Sequence, residues 1–149
     1  MTPAQLTTLK AAILANTAIA AERTANNHIG IAAHYNAPGT GVVWRPVITA
    51  AELNAAVVWT EYATLTAVLQ NCFQAMIAGE WVDGTNTNIR AGFASIFAGT
   101  GAAVTRANLV ALAQRVPTRF EMAFMTGSVC SLFGRIVTPN DVALAMGTV

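Results

Sequence analysis

The chain has 149 residues, with eight Lys or Arg against seven Asp or Glu and a formal net charge of +1. That balance excludes a general attraction to nucleic acid or anionic membranes, and the length is one ordinary domain's worth, 1–149, large enough to fold without disulfides or metals. Charged residues make up only 10 % of the chain, against about 25 % in a typical soluble domain. Apolar residues make up 54 %, and 30 residues are alanine. A surface so poor in charge points to burial, either in a membrane or against partner chains.

The opening segment "TPAQLTTLKAAILAN" predicts a helix, with Thr2 as N-cap, Pro3 at the first helical position, and Leu6, Leu9, Ile13 and Leu14 as one apolar stripe. Asn16 ends it. A short helix over "NNHIGIAAHYN" runs into the loop "APGTGVV", and "VVWRPVIT" reads as extended chain because Arg45 precedes a proline. Thr49 and Glu52 match a capping box that opens the next helix. A longer helix is expected from Trp59 to Ile77, with Leu65, Val68, Leu69, Phe73 and Met76 on one side. "GEWVDGTNTN" is a loop, and Asn86 or Thr87 caps "NIRAGFASIFAG", which Gly99 closes. A helix over 105–127 is expected, kinked or broken at Pro117. "SLFGRIVT" then reads as a short strand broken by Gly134, and Thr138, Pro139 and Asp141 open a last helix. The expected fold is mainly α: a small helical-bundle domain of about six helices with one or two short β-strands.

The longest uncharged run, between Glu61 and Glu80, is marginal in length for a membrane span, and Gln70, Asn71 and Gln74 interrupt it. No basic leader precedes the opening apolar stretch, and Asn16 and Thr17 break it, so a secretory signal is not expected. An assembly subunit is the better explanation of the composition. Cys72 and Cys130 follow no ligand spacing and read as two buried thiols in a reduced compartment.

Candidate chemistry is sparse. Glu80 and Asp83 are the closest carboxylates, but nothing holds them in the two different environments that an acid/base pair needs. His28 and His34, six residues apart, point to different faces of a helix that turns roughly 100° per residue. No phosphate loop, nucleophile elbow or metal-ligand spacing is present. Trp44, Trp59 and Trp81 are dispersed and read as core or interface anchors. No catalytic, cofactor or metal residue is assigned; a small helical enzyme or binding domain built on Glu80, Asp83 and His34 is the alternative from a different class.

On a helical wheel of 105–127, Leu109, Leu112, Val116, Phe120 and Phe124 form the buried stripe, with Arg115 and Arg119 together on one flank and Glu121 on the other. These arginines are either snorkelling surface residues or a basic stripe facing a partner's carboxylates.

The same stretch carries Thr105, Arg106, Ala107, Leu109, Ala111, Leu112, Arg115, Thr118, Arg119, Glu121, Phe124, Thr126 and Gly127. This pattern resembles one found in short virion structural proteins of tailed bacteriophages and prophages. "MTPAQLTTLKAAI", "YNAP" followed by "VVWRPVIT", and "NIRAGFASIFAGT" resemble other pieces of that family in the same order. Pro117 departs from an expected alanine, and Gln114 and Met122 stand where lysines are common. The resemblance implies a non-enzymatic virion part, best fitted to a head-to-tail connector or adaptor ring, with another tail or capsid-associated protein as the alternative. It further implies copies of itself, portal and tail proteins as partners, DNA passing through the lumen without specific binding, no membrane, no cofactor, and location in the virion after assembly in the host cytoplasm. The candidate interface residues are Trp44, Arg45, Arg90, Arg106, Arg115 and Arg119.

Overall fold

A computed structural model of the chain describes residues 1–148. In chain order it forms α1 (Pro3–Ala15), a 3-10 turn (Thr17–Ile19), α2 (Ala20–Thr24), α3 (His28–Asn36), β1 (Val43–Trp44), β2 (Ile48–Thr49), α4 (Ala50–Ala56), α5 (Trp59–Tyr62), α6 (Ala67–Met76), β3 (Trp81–Val82) and α7 (Thr87–Ile96). A second 3-10 turn (Thr100–Ala102), α8 (Ala103–Ala113), β4 (Gln114–Arg115), α9 (Arg119–Met122), β5 (Met125–Thr126), β6 (Val129–Cys130) and α10 (Pro139–Met146) complete it. The fold is mainly α. Among the described residues six α-helices run eight residues or more, and the other α-helices are shorter, from four to seven residues. The strands pair antiparallel as β1 with β4, β2 with β3, and β5 with β6.

The chain divides into two compact units. One comprises residues 1–42 and 116–149 and the other residues 43–115, so the second is inserted in the sequence of the first. In the first, α10 packs against α1 and α3. Leu9, Ile13, Ile31, Tyr35, Phe120, Val137 and Val142 form the core. Asn36 joins the two chain segments: its side chain donates to the Val137 carbonyl and accepts from the Val137 N–H, both at 2.8 Å. In the inserted unit Phe73, fully buried, meets Tyr62, Phe93 and Phe97 edge-on with ring centroids 5.6, 6.1 and 5.5 Å apart. That is the preferred geometry for aromatic pairs. Ile48, Leu53, Val82, Ile96 and Leu109 surround the cluster.

Helix starts follow the local sequence closely. Reciprocal capping boxes are present at Thr2–Gln5, Thr49–Glu52, Thr118–Glu121 and Thr138–Asp141, each satisfying two backbone donors that a helix start leaves orphaned. Gly147 closes α10 in the left-handed conformation, φ 74°, a backbone state with no steric cost for glycine.

Four expectations are corrected. The stretch 105–127 is not one kinked helix. The ring of a proline at 117 would collide with the carbonyl of residue 113, and α8 stops at Ala113. That carbonyl instead accepts the Arg45 N–H at 2.9 Å, residues 114–115 become β4, and Thr118 starts α9. The wheel's apolar stripe is therefore divided: Leu109 and Leu112 serve the inserted unit, Phe120 and Phe124 the other, and Val116 is exposed. The helix expected over 59–77 breaks at 63–66, where the Thr66 side chain accepts the Leu69 N–H and caps a fresh helix; Val68 is exposed. "SLFGRIVT" is not a strand; the pairing residues are Val129 and Cys130, just before it. Cys72 is exposed rather than buried, while Cys130 is buried. In addition, the loop "GEWVDGTNTN" contains β3. No single helix among the described residues is long and apolar enough to cross a membrane.

Candidate functional site

The six candidate interface residues fall in both units. Trp44, Arg45, Arg90, Arg106 and Arg115 belong to the inserted unit and Arg119 to the other. Arg115 sits in β4 opposite Val43, half-buried. The shared flank drawn for Arg115 and Arg119 required a continuous helix, and the break at Ala113 removes it.

Within the inserted unit Arg45, Arg90 and Arg106 are turned to backbone carbonyls. Arg106 Nη1 donates to the Phe97 carbonyl at 2.6 Å, where α7 ends. Arg45 Nη1 donates to the Leu112 carbonyl at 3.2 Å, in the last turn of α8. Arg90 Nη1 reaches the carbonyls of Gly84 and Thr85 at 2.8 and 2.6 Å, and its guanidinium carbon lies 4.4 Å from the centre of the Trp44 ring. A Cβ on Gly84 would come 2.6 Å from the Arg45 carbonyl oxygen, so only glycine lets these backbones approach. Placing cations on helix C-terminal carbonyls satisfies orphan acceptors and opposes the helix dipole. In the other unit Arg23 does the same for the Ile13 and Leu14 carbonyls at the end of α1.

The carboxylates are used at the opposite helix ends. Glu61, on α5, accepts the Val104 and Thr105 N–H groups at 3.2 and 2.7 Å and so caps α8 from outside it. The Thr105 N–H holds the Glu61 carboxyl below its ordinary range. Thr105 itself is buried and accepts the Val58 N–H at 3.0 Å. Glu52 accepts from Thr49 and from Arg45 Nη2, the latter at 2.7 Å. These bonds, the Thr49 N–H foremost, lower its pKa to about 2. Asp141 is pushed up by burial, but Thr138 and Arg135 outweigh that and leave it lowered. Asp83 is occupied by the Thr85 N–H and hydroxyl. Glu80 is exposed, and its carboxylate makes no hydrogen bond or ion pair among the described residues. Glu80 and Asp83 therefore flank β3 without forming a pair.

Arg119 is exposed, and its guanidinium lies 3.0 Å from Nδ1 of His34, whose Nε2 lies 2.9 Å from the Asn16 amide. Burial first, and then the Arg119 charge, lower the His34 pKa. His28 faces Thr148 instead. Among the described residues no three of His, Cys, Asp and Glu come together as a metal site would require.

The inserted unit also holds an apolar pocket walled by Trp44, Ile48, Val82, Phe93, Leu109 and Val110, with Arg90 and Arg106 also in its lining. Its volume is about 60 Å³, well short of the roughly 300–1,000 Å³ of small-molecule sites. It fits part of one side chain. Glu61, Thr105 and Asn36 are the working residues that sequence reasoning missed; no local pattern marks a side chain that caps a helix elsewhere in the chain. Compared with family models, curated proteins and solved structures, the chain matches none of them.

Proposed function

We propose that the chain is a structural subunit of a tailed-phage virion, a neck protein that forms a ring as head-to-tail connector between portal and tail. The observation that carries this reading is the combination of large exposed apolar side chains with a near absence of free charge. Trp59 and Trp81 are 52 % and 54 % exposed, and Ile29 and Ile136 73 % and 71 %. Of the fifteen charged residues, Arg23, Arg45, Glu52, Glu61, Arg106, Glu121 and Asp141 are committed to helix ends, so few remain to keep that surface solvated. Such a surface is characteristic of a subunit covered by neighbours.

The motif pieces that carry the resemblance also support the reading, because they meet in pairs. Asn36-Ala37-Pro38 lies against Pro117-Thr118-Arg119, with Arg119 N–H on the Ala37 carbonyl and Gly39 N–H on the Pro117 carbonyl. Trp44-Arg45 lies against Ala113-Gln114. A scaffold shared by the family would hold these same pairs. Light-scattering mass and negative-stain images of the chain, alone and with the portal protein of the same virion, test the proposal. A ring is the expected outcome; a stable monomer that does not associate with portal overturns it. A particle reconstruction distinguishes the neck from a tail or capsid position.

A further inference from the structure

Met122 is 42 % exposed, whereas Met1, Met76, Met125 and Met146, the chain's other methionines, are all half-buried. It ends α9, and its thioether reaches back over the loop that follows α3. There Sδ accepts the Thr40 N–H at 3.4 Å. The same sulfur is seated on Gly39: a Cβ built on that residue would collide with Sδ and come 3.2 Å from Cγ. Just before this contact the Gly39 N–H donates to the Pro117 carbonyl at 2.8 Å, and the Arg119 N–H donates to the Ala37 carbonyl at 3.0 Å. All of these residues belong to the unit of residues 1–42 and 116–149. The loop over 37–40 is thus fastened to residues 117–122 by two backbone bonds and, at its far end, by a sulfur. A thioether is a weak acceptor, and this sulfur is the one fastening atom whose chemical form is open to change.

We infer that Met122 is a site of reversible oxidation by peroxides, and that forming its sulfoxide unfastens Gly39 and Thr40 from α9. In this step a lone pair of Sδ attacks one oxygen of hydrogen peroxide. The S–O bond forms as the O–O bond breaks, and the sulfur gives up two electrons. The departing hydroxide takes the proton from the transferred oxygen and leaves as water. A thioether has no proton to lose, so access rather than pKa decides which methionine reacts, and access favours Met122. The product is polar and chiral and does not fit the old seat. An oxygen formed on the side of Thr40 stands between the sulfur and the N–H and pushes the loop away. An oxygen formed on the solvent side leaves a poorer acceptor at sulfur and draws the side chain towards water. The unbranched, flexible side chain leaves Gly39 in either case, while Phe120 and Glu121 keep α9 anchored through their own burial. The change is therefore local to the loop. Methionine sulfoxide reductases, which act on the two sulfoxide epimers separately, reverse it. This inference is independent of the virion reading.

The test treats the full chain with hydrogen peroxide in a Cys72→Ser background, which removes the exposed thiol. Peptide mass spectrometry follows oxidation, and nuclear magnetic resonance follows amide exchange. Met122 is expected to be oxidised before the other four methionines. The amides of Gly39 and Thr40 should then exchange about threefold faster or more, the scale of one modest hydrogen bond, with circular dichroism unchanged. A mixture of the two reductases should restore the original rates. Met122→Leu, a swap of similar volume, should show no response of these amides to peroxide. Gly39→Ala imitates the oxidation without oxidant. Gly39 is not in the left-handed region, so alanine suits the backbone, and its methyl takes the place of the sulfur. This variant should exchange faster at residues 39 and 40 from the outset, and peroxide should add nothing further. Oxidation of Met76, Met125 or Met146 ahead of Met122 overturns the inference. Unchanged exchange at residues 39 and 40 once Met122 is oxidised overturns it too, as does a peroxide response of those amides that persists in Met122→Leu.

Discussion

The two units stabilise their helices by different means. The unit of residues 1–42 and 116–149 starts helices with threonine boxes written within four consecutive residues: Thr2–Gln5, Thr118–Glu121 and Thr138–Asp141. The inserted unit has one such box, Thr49–Glu52, and single local caps at Thr66 and Asn86, and it also borrows charges from a distance. Glu61 caps α8 from 43 and 44 residues away, and Arg45 reaches the end of α8 across 67. Their cores differ too. A four-ring aromatic cluster centred on Phe73 holds the inserted unit, whereas aliphatic residues around Phe120 hold the other. A unit capped by neighbours in sequence keeps its helix starts as soon as each helix forms. A unit capped from afar depends on its tertiary structure being in place first, since distant groups must be brought together against loop entropy.

The strongest way to break this comparison is to empty each core in turn. Phe73→Ala and Phe120→Ala should each cost about 3–5 kcal/mol in denaturant melts. Hydrogen exchange should accelerate first within residues 43–115 for the former, and outside them for the latter. Equal loss of protection throughout the chain for both variants would show that the units open as one.

Removing a distant cap comes next. Arg106→Leu leaves the buried carbonyl of Phe97 without its charged donor and should cost about 1.5–3 kcal/mol, with the fastest-exchanging amides at the end of α7. Asn36→Ala is the equivalent strike on the other unit. It orphans both backbone groups of the buried Val137 and should cost about 1–3 kcal/mol, while Asn36→Asp should restore one of the two bonds and recover part of that loss.

A local cap should matter less. Thr118→Ala is expected to cost about 1 kcal/mol, and Thr118→Ser to cost little. If Thr118→Ala proves as damaging as Arg106→Leu, the contrast between near and distant caps does not hold.

Acid should give the smallest effect. The folded pKa of Glu52 lies at about 2 against 4.5 for an ordinary glutamate. Its contribution is therefore complete above pH 4.5 and is lost as pH falls from there towards 2. The stability gap between wild type and Glu52→Gln in urea melts should be present at neutral pH and shrink through that window. The gap should be modest, because the Glu52 side chain is 38 % exposed and solvent screens it.

Much of the fold was legible along the chain. Thr2 with Pro3, Thr49 with Glu52, and Thr138 with Pro139 mark helix starts because capping is a contact between neighbours. The box at Thr118–Glu121 was just as visible, but reading 105–127 as one helix concealed it, although Pro117 already disfavoured helix at Val116. The candidate interface was less legible. The arginines could be picked out as rare charges. Their targets could not, because a carbonyl at Phe97 or Leu112 looks like any other in the sequence.

By itself, then, the sequence determined the helical class, the starts of its capped helices and the shortage of surface charge, all properties of residues close together or of composition. Only the tertiary structure decided that the chain divides at Val43 and Arg115, that Glu61 and Arg106 cap helices from elsewhere, and that the Met122 sulfur takes the Thr40 N–H. Those depend on which distant backbone groups are left without hydrogen-bond partners once the helices end, and that is known only when the chain has folded.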